Sequence, residues 1–218
     1  MNFEIVSRCP VLKGIDSELL KLLFEDLHYK IKTYEKDLIV ISSGERCNNL
    51  MILLEGEVRG EMLDFSGNSI KIEDIMAPRP IAPAFLFGEM NLCPVTVIAN
   101  EFTRILFIPR EEVLRLMQRN STILLNYLNI LSGRGQFLSD KVKMLSFKNL
   151  KQKIAYYLLK ENPGGLIKSQ QEFADLLAVA RPSLARTFGE MEAEGLVKYN
   201  RGRIEVINKE KLNDCLFV

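Results

Sequence analysis

Arg181 and Arg186 stand five residues apart in the run Arg181-Pro-Ser-Leu-Ala-Arg186, close behind Ser169-Gln-Gln-Glu-Phe-Ala-Asp-Leu-Leu177. A guanidinium presents a planar fork of donors, and that fork matches the O6 and N7 acceptors of guanine in the DNA major groove. The contact discriminates between bases only when a rigid element carries it to the base edge. The flanking residues predict that element: a short helix, a tight turn and a second helix. Pro182 suits the first turn of the second helix, where its missing N–H has no helical partner anyway. On a helical projection Leu184, Phe188 and Met191 share a face expected to pack against Phe173, Ala174 and Leu177. Pro182, Arg186 and Gly189 lie opposite, with Arg181 at the helix start. This is the pattern of a helix-turn-helix, whose second helix enters the major groove. Arg186 is the foremost base-reading candidate and Arg181 the second. Ser183, Gln171 and Ser169 join them as candidates for bases or phosphates, and Gly189 would let the sugar-phosphate backbone approach closely.

Two short apolar runs follow, Gly195-Leu-Val-Lys-Tyr199 and Arg203-Ile-Glu-Val-Ile207, flanking Asn200-Arg-Gly202. An Asn/Gly turn between such runs predicts a β-hairpin. Lys198, Arg201 and Arg203 on it would neutralise phosphates, adding affinity and salt dependence but no sequence choice. Helices and hairpin together form a winged helix-turn-helix.

Composition does not advertise a nucleic-acid partner. The chain has 218 residues and a net charge of +1, so no global field attracts DNA or a membrane. Charge is unevenly placed, however. From Ser146 onward twelve Lys/Arg stand against nine Asp/Glu, leaving seventeen against nineteen before it. Cys9, Cys47, Cys93 and Cys215 are widely separated, with no C-x-x-C pair, so the zinc and thiol-redox spacings are absent. His28 is the only histidine, which argues against a multi-histidine metal site or a Ser-His hydrolase. No acid/base pair or nucleophile-base spacing emerges, and an enzyme is the least supported class. With no signal peptide and no long apolar run, the expected location is the cytoplasm, with reduced thiols and no membrane partner.

The elements that must position the arginines read as follows. Residues 11–30 contain an amphipathic helix bearing Leu19, Leu20, Leu22, Leu23 and Leu27, with Ser17 as the predicted cap. Between Lys32 and Pro109 come short apolar runs: Leu38–Ile41, Leu50–Leu54, Ile70–Ile72, Val95–Ile98 and Arg104–Ile108. Gly44, Gly56, Gly60, Gly67 and Gly88 supply the breaks, which predicts a compact antiparallel sandwich or barrel. After Pro109 the period becomes helical. Leu124, Leu128, Leu131, Gly135, Leu138, Val142 and Leu145 alternate in steps of four and three, the spacing of a heptad seam that would pair with a second copy. Gly135 sits where a large residue is expected; the gap would admit a ligand, permit close helix approach or mark a kink. A further helix spans Leu150–Lys160.

This order of elements resembles the Crp/Fnr superfamily of bacterial transcription regulators along nearly the whole chain. The residues that carry the resemblance are Leu53-Leu-Glu-Gly-Glu-Val58, Phe87-Gly-Glu-Met90, the seam helix, and Gln171-Glu-Phe-Ala through Arg181-Pro-Ser-Leu-Ala-Arg186. It implies an α+β fold. An N-terminal cyclic-nucleotide-binding-like β-roll (jelly roll) of residues 1–120 would serve as sensor, 121–146 as a long dimerisation helix, and 147–218 as the winged helix-turn-helix. It further implies a homodimer on double-stranded operator DNA, a small effector and RNA polymerase as a partner. Ala178 stands where the family's turn often has glycine. The run Pro80-Ile-Ala-Pro-Ala-Phe-Leu-Phe-Gly88 with Pro94-Val-Thr-Val97 is similar to the HcpR-like branch, associated with nitrosative stress, haem and nitric oxide.

The sensor end departs from the family pattern. Members that bind cyclic nucleotides follow Gly-Glu with an Arg-Ser/Thr pair that grips the cyclic phosphate. Here Gly88-Glu89 is followed by Cys93 and Pro94 at the expected positions, so cyclic AMP would lack its main counter-charge. Cys9 stands without the N-terminal cysteine group of iron–sulfur members. The expected effector pocket comprises Gly88, Glu89, Cys93, Pro94, Leu131 and Gly135. Cys9-Pro10, Cys93-Pro94 and His28 invite a haem reading, set against ordinary packing. Three readings stay open at this point: an effector-responsive regulator, a haem-dependent gas sensor, and a DNA-binding protein that needs no ligand.

Overall fold

A computed structural model describes residues 1–63, 66–67, 69–160, 169–177, 179–200 and 203–217, except for the side chains of Leu145 and Asn200. Ala178, Arg201 and Gly202 lie outside the described residues, as does the side chain of the seam residue Leu145. The chain forms two compact units, Met1–Gly135 and Gln136–Val218.

The first unit opens with two helices, α1 (Phe3–Ser7) and α2 (Ser17–Glu25). The cap of α2 is Asp16 and not Ser17: its Oδ1 accepts from Glu18 N at 3.0 Å and Leu19 N at 2.9 Å. An ionised carboxylate satisfies two orphan donors and suits the positive helix end, leaving Ser17 as the first helical residue. Eight strands follow: β1 (Lys30–Tyr34), β2 (Ile39–Ile41), β3 (Asn49–Glu55), β4 (Glu57–Leu63), β5 (Ser69–Met76), β6 (Arg79–Ile81), β7 (Thr96–Ala99) and β8 (Thr103–Pro109). They make two antiparallel four-stranded sheets, ordered β1-β8-β3-β6 and β2-β7-β4-β5. This is the sandwich expected from the short apolar runs.

The burial of β3 explains its composition. Met51 and Leu53 face the other sheet, joining Val58, Ile75, Ile81, Val97 and Ile105 in the inter-sheet core. Leu50, Ile52 and Leu54 face outward, yet they are covered by Val6, Leu20, Phe24, Leu116 and Ile123 from a helical layer. A strand covered on both faces needs apolar residues throughout, hence Leu-Met-Ile-Leu-Leu. In β4 and β7 burial alternates instead, because only one face of that sheet is covered. Gly60 is not a break: it lies inside β4, where the register with β5 shifts between Gly60 and Glu61. Gly56 is a true turn glycine at φ 85°, where an added Cβ would stand 2.4 Å from Phe102 O.

Two helices end the unit and lead out of it, α3 (Arg110–Arg119) and α4 (Ser121–Ser146). Asn120 Oδ1 caps α4, accepting from Thr122 N at 2.9 Å. Tyr127 on α4 donates its hydroxyl to Pro83 O at 2.6 Å, and its ring meets Phe87 edge-on at 5.7 Å. The helix runs unbroken through Gly133 and Gly135, so the glycines mark no helix end.

The second unit contains α5 (Leu150–Lys160), α6 (Gln170–Leu176), α7 (Arg181–Ala193), β9 (Val197–Asn200), β10 (Arg203–Val206) and α8 (Lys209–Asp214). Asn149 and Gln152 cap α5 reciprocally: Asn149 Oδ1 accepts from Gln152 N at 2.8 Å, and Gln152 Oε1 accepts from Lys148 N at 3.0 Å. Ile154, Leu158, Phe173, Leu184, Phe188, Met191, Val197 and Ile204 form its core. An aromatic chain runs through it, with centroids 4.9 Å apart for Tyr157–Phe173, 5.7 Å for Phe173–Phe188 and 5.8 Å for Phe188–Tyr199.

Candidate nucleic-acid interface and sensor site

The face of α7 opposite the core is built by subtraction. Leu184, Phe188 and Met191 are buried, packed with Phe173, Ala174 and Leu177 as the projection predicts. Arg181, Pro182, Ser183, Arg186 and Gly189 are exposed. Pro182 stands in the first turn, and Ala180 precedes the helix without a side-chain cap. Val179 N donates to Ala174 O at 2.9 Å, closing the chain back onto α6.

Neither Arg181 nor Arg186 has a carboxylate partner among the described residues. In the first unit Arg59, Arg104, Arg115 and Arg134 each pair with an acid, while Arg8, Arg46, Arg79, Arg110 and Arg119 show no ion pair among the described residues. Two unpaired guanidiniums on one exposed helix have their donors available for an outside acceptor. Lys198 and Arg203 are exposed on the β9–β10 hairpin, where Lys198 sits across from Glu205. Two other candidates already have internal partners. Ser169 Oγ caps α6 by accepting from Glu172 N at 3.1 Å, and Gln171 Nε2 donates to Asp175 Oδ1 at 2.8 Å.

The expected effector residues are dispersed. Gly88 and Glu89 are exposed, Pro94 is half-buried and Cys93 is buried between the sheets. Leu131 packs against the helical layer. Gly135 is open: an added Cβ there would meet nothing within 4 Å. An open cleft of about 740 Å³ lies elsewhere, lined by residues that include His28, Lys30, Lys32, Tyr29 and Phe107. His28 itself is largely exposed, with Nδ1 3.3 Å from Glu112 Oε1. Cys9 is fully buried among apolar side chains, and that burial pushes its thiol up to about 12.

Sequence spacing missed one juxtaposition. Cys47 and Cys93 share the inter-sheet core, brought together by a short ribbon between the segments that carry them. Only the strand pairing shows this, because neither cysteine has a motif around it. Along α4 the seam residues Leu124, Leu128, Leu138 and Val142 are all exposed, Leu138 and Val142 by 61% and 66%.

Two domain families match the chain in this order: the cyclic nucleotide-binding domain over residues 31–120 and the Crp-like helix-turn-helix domain over 152–215. The chain belongs to the Crp/Fnr family. As a Crp/Fnr-type chain it is a DNA-binding transcription regulator. It is 25% identical over 217 residues to a cyclic AMP receptor protein of Thermus thermophilus, covering 95% of this chain and 97% of that protein. Its fold matches the crystal structure of the Thermus thermophilus catabolite activator protein with a TM-score of 0.59 at 22% identity, over 95% of this chain and 98% of that one. A Thermotoga maritima transcriptional regulator of known structure is 31% identical, with a TM-score of 0.54, covering 58% of this chain and 97% of that one. Among the described residues of this Crp/Fnr regulator, no helix is long and apolar enough to cross a membrane.

Proposed function

We propose that the chain works as a homodimer on a near-palindromic operator, each subunit reading one half-site through α7, with a small effector other than cyclic AMP setting its affinity. The observation that carries the DNA reading is the pair of exposed, unpartnered arginines on a helix whose opposite face is locked into the core. Arg186 reads a guanine, and Arg181 supports it from the helix start. Pro182 and Ser183 lie beside the groove, while Lys198, Arg201 and Arg203 hold phosphates. Ser169 and Gln171 act mainly by shaping α6. A gel-shift series tests this division of labour. Arg186→Ala is expected to cost about 1–3 kcal/mol of sequence discrimination. Lys198→Ala is expected to weaken all sequences alike and lower the salt slope by about one. Unchanged sequence preference in Arg186→Ala overturns the assignment.

The exposed apolar stripe of α4 supports pairing with a second copy. The relative from Thermus is named for cyclic AMP, but Cys93 and Pro94 stand here where an anion-gripping pair would be needed. Titration calorimetry with cyclic AMP should therefore give no saturable heat. For an effector to switch the dimer it must prefer the DNA-competent state. RNA polymerase is the protein partner in this reading. The apolar run Pro80–Gly88 supports a finer placement in the HcpR-like branch, which a promoter-reporter response to nitric oxide tests.

A further inference from the structure

Residues 44–47 run antiparallel to 91–93. Cys47 N donates to Asn91 O at 2.7 Å, Cys93 N to Glu45 O at 2.8 Å, and Gly44 N to Cys93 O at 2.8 Å, around a bridge between Arg46 and Leu92. Residues one step to either side of a bridge share a face of the ribbon. Cys47 and Cys93 are thus diagonal neighbours, and their face turns inward, leaving them 2% and 1% exposed. Arg46 and Leu92 point the other way and are exposed. The proximity of the two thiols favours the thiolate of Cys93 and disfavours that of Cys47. Cys93 Sγ donates to Val95 O at 3.2 Å. Cys47 further lines an open cleft of about 170 Å³ whose walls include Lys32, Arg46 and Met51. The cleft gives a small oxidant a way in to the Cys47 side of the pair, and its walls carry both signs of charge, with Glu45 beside Lys32 and Arg46.

We propose that Cys47 and Cys93 form an oxidisable dithiol in the sensor unit, a modification site that a hydroperoxide converts to an intramolecular disulfide. The Cys93 thiolate attacks the terminal peroxide oxygen. An S–O bond forms, the O–O bond breaks, and the departing alkoxide takes a proton to become an alcohol. The sulfur of Cys47 then attacks the Cys93 sulfenic acid. An S–S bond forms, the S–O bond breaks, and hydroxide leaves as water with the Cys47 proton. The dithiol loses two electrons and the peroxide gains them.

The product changes the shape of the unit. Diagonal neighbours have Cα atoms about 7–8 Å apart, whereas a disulfide needs about 4.4–6.8 Å. Closing the bond draws the two segments together. The segment bearing Cys93 continues back to Phe87 and Pro83, both of which contact Tyr127 of α4. Oxidation therefore pulls on the helix that carries the seam. This site goes beyond the DNA-binding reading, and its chemistry stands or falls independently of it.

The test uses the reduced full-length protein, exposed to hydrogen peroxide or cumene hydroperoxide, alkylated in denaturant and mapped by peptide mass spectrometry. The expected result is one linked peptide pair joining Cys47 to Cys93, a chain lighter by two hydrogen atoms, and reversal by dithiothreitol. Cys47→Ser should leave a Cys93 sulfenic acid that dimedone traps, while a Cys9→Ser, Cys215→Ser double variant keeps the link. Full alkylation of both cysteines after oxidant overturns the proposal. So does a link through Cys9 or Cys215, or a Cys93 sulfinic acid without any link. Should a serine variant fail to fold by circular dichroism, the wild-type peptide map alone decides.

Discussion

Tyr127 shows how much rests on one hydroxyl. Its bond to Pro83 O ties α4 to the sandwich from a buried position. Tyr127→Phe keeps the ring against Phe87 but leaves that carbonyl without its partner, at a cost of about 1–3 kcal/mol. Urea unfolding should show a lower midpoint with an unchanged slope. Burial also raises the Tyr127 phenol above its ordinary range. The folded state thus favours the neutral phenol, and the resulting stability is present below the unfolded value of about 10 and lost as pH rises through the folded one. Stability measured above about pH 10 should fall less steeply in Tyr127→Phe than in the wild type. At this scale the sequence was a fair guide where helical periodicity decides which side chains face away from the core, as with the exposed Arg181 and Arg186. It misplaced the α2 cap, because Asp16 and Ser17 are both good capping residues and only the backbone angles separate them.

Elements differ in how openly they declare themselves. β3 and β8 were legible because they are covered on both faces and so consist of apolar runs. β1, with Lys30-Ile-Lys-Thr-Tyr34, and β4, with Glu57-Val-Arg-Gly-Glu61, escaped notice because their exposed faces carry charge and their buried faces contribute few large residues. Glycines separate in the same way. At Gly56 the left-handed backbone and the contact with Phe102 O forbid a side chain, so Gly56→Ala should cost at least about 1–3 kcal/mol. At Gly135 the helix is regular and the space open. Gly135→Ala should there stabilise α4 by about 1 kcal/mol and raise the thermal midpoint by roughly 2–4 °C. A fall in the midpoint instead would mean that a partner helix approaches at that position.

At the scale of the molecule, two units are joined by one helix whose apolar stripe is exposed. Leu138→Glu places a charge in that stripe without disturbing any buried contact of the single chain. Sedimentation should then show a monomer. Specific operator affinity should fall far more than non-specific affinity, since two half-sites must be engaged together. A dimer that survives this change would relocate the self-contact. The order of the units was readable from periodicity, because helix and strand repeats differ so plainly. The pairing of Cys47 with Cys93 was not, since it depends on a three-residue ribbon with no periodic signal. The edge strand of the sandwich bears on aggregation. β6 lies at the open edge of its sheet and carries Pro80 opposite Ile52. Proline has no N–H to offer, so an extended segment from another molecule finds a rung of the ladder missing. The missing rung guards this edge of the sandwich against strand-upon-strand aggregation.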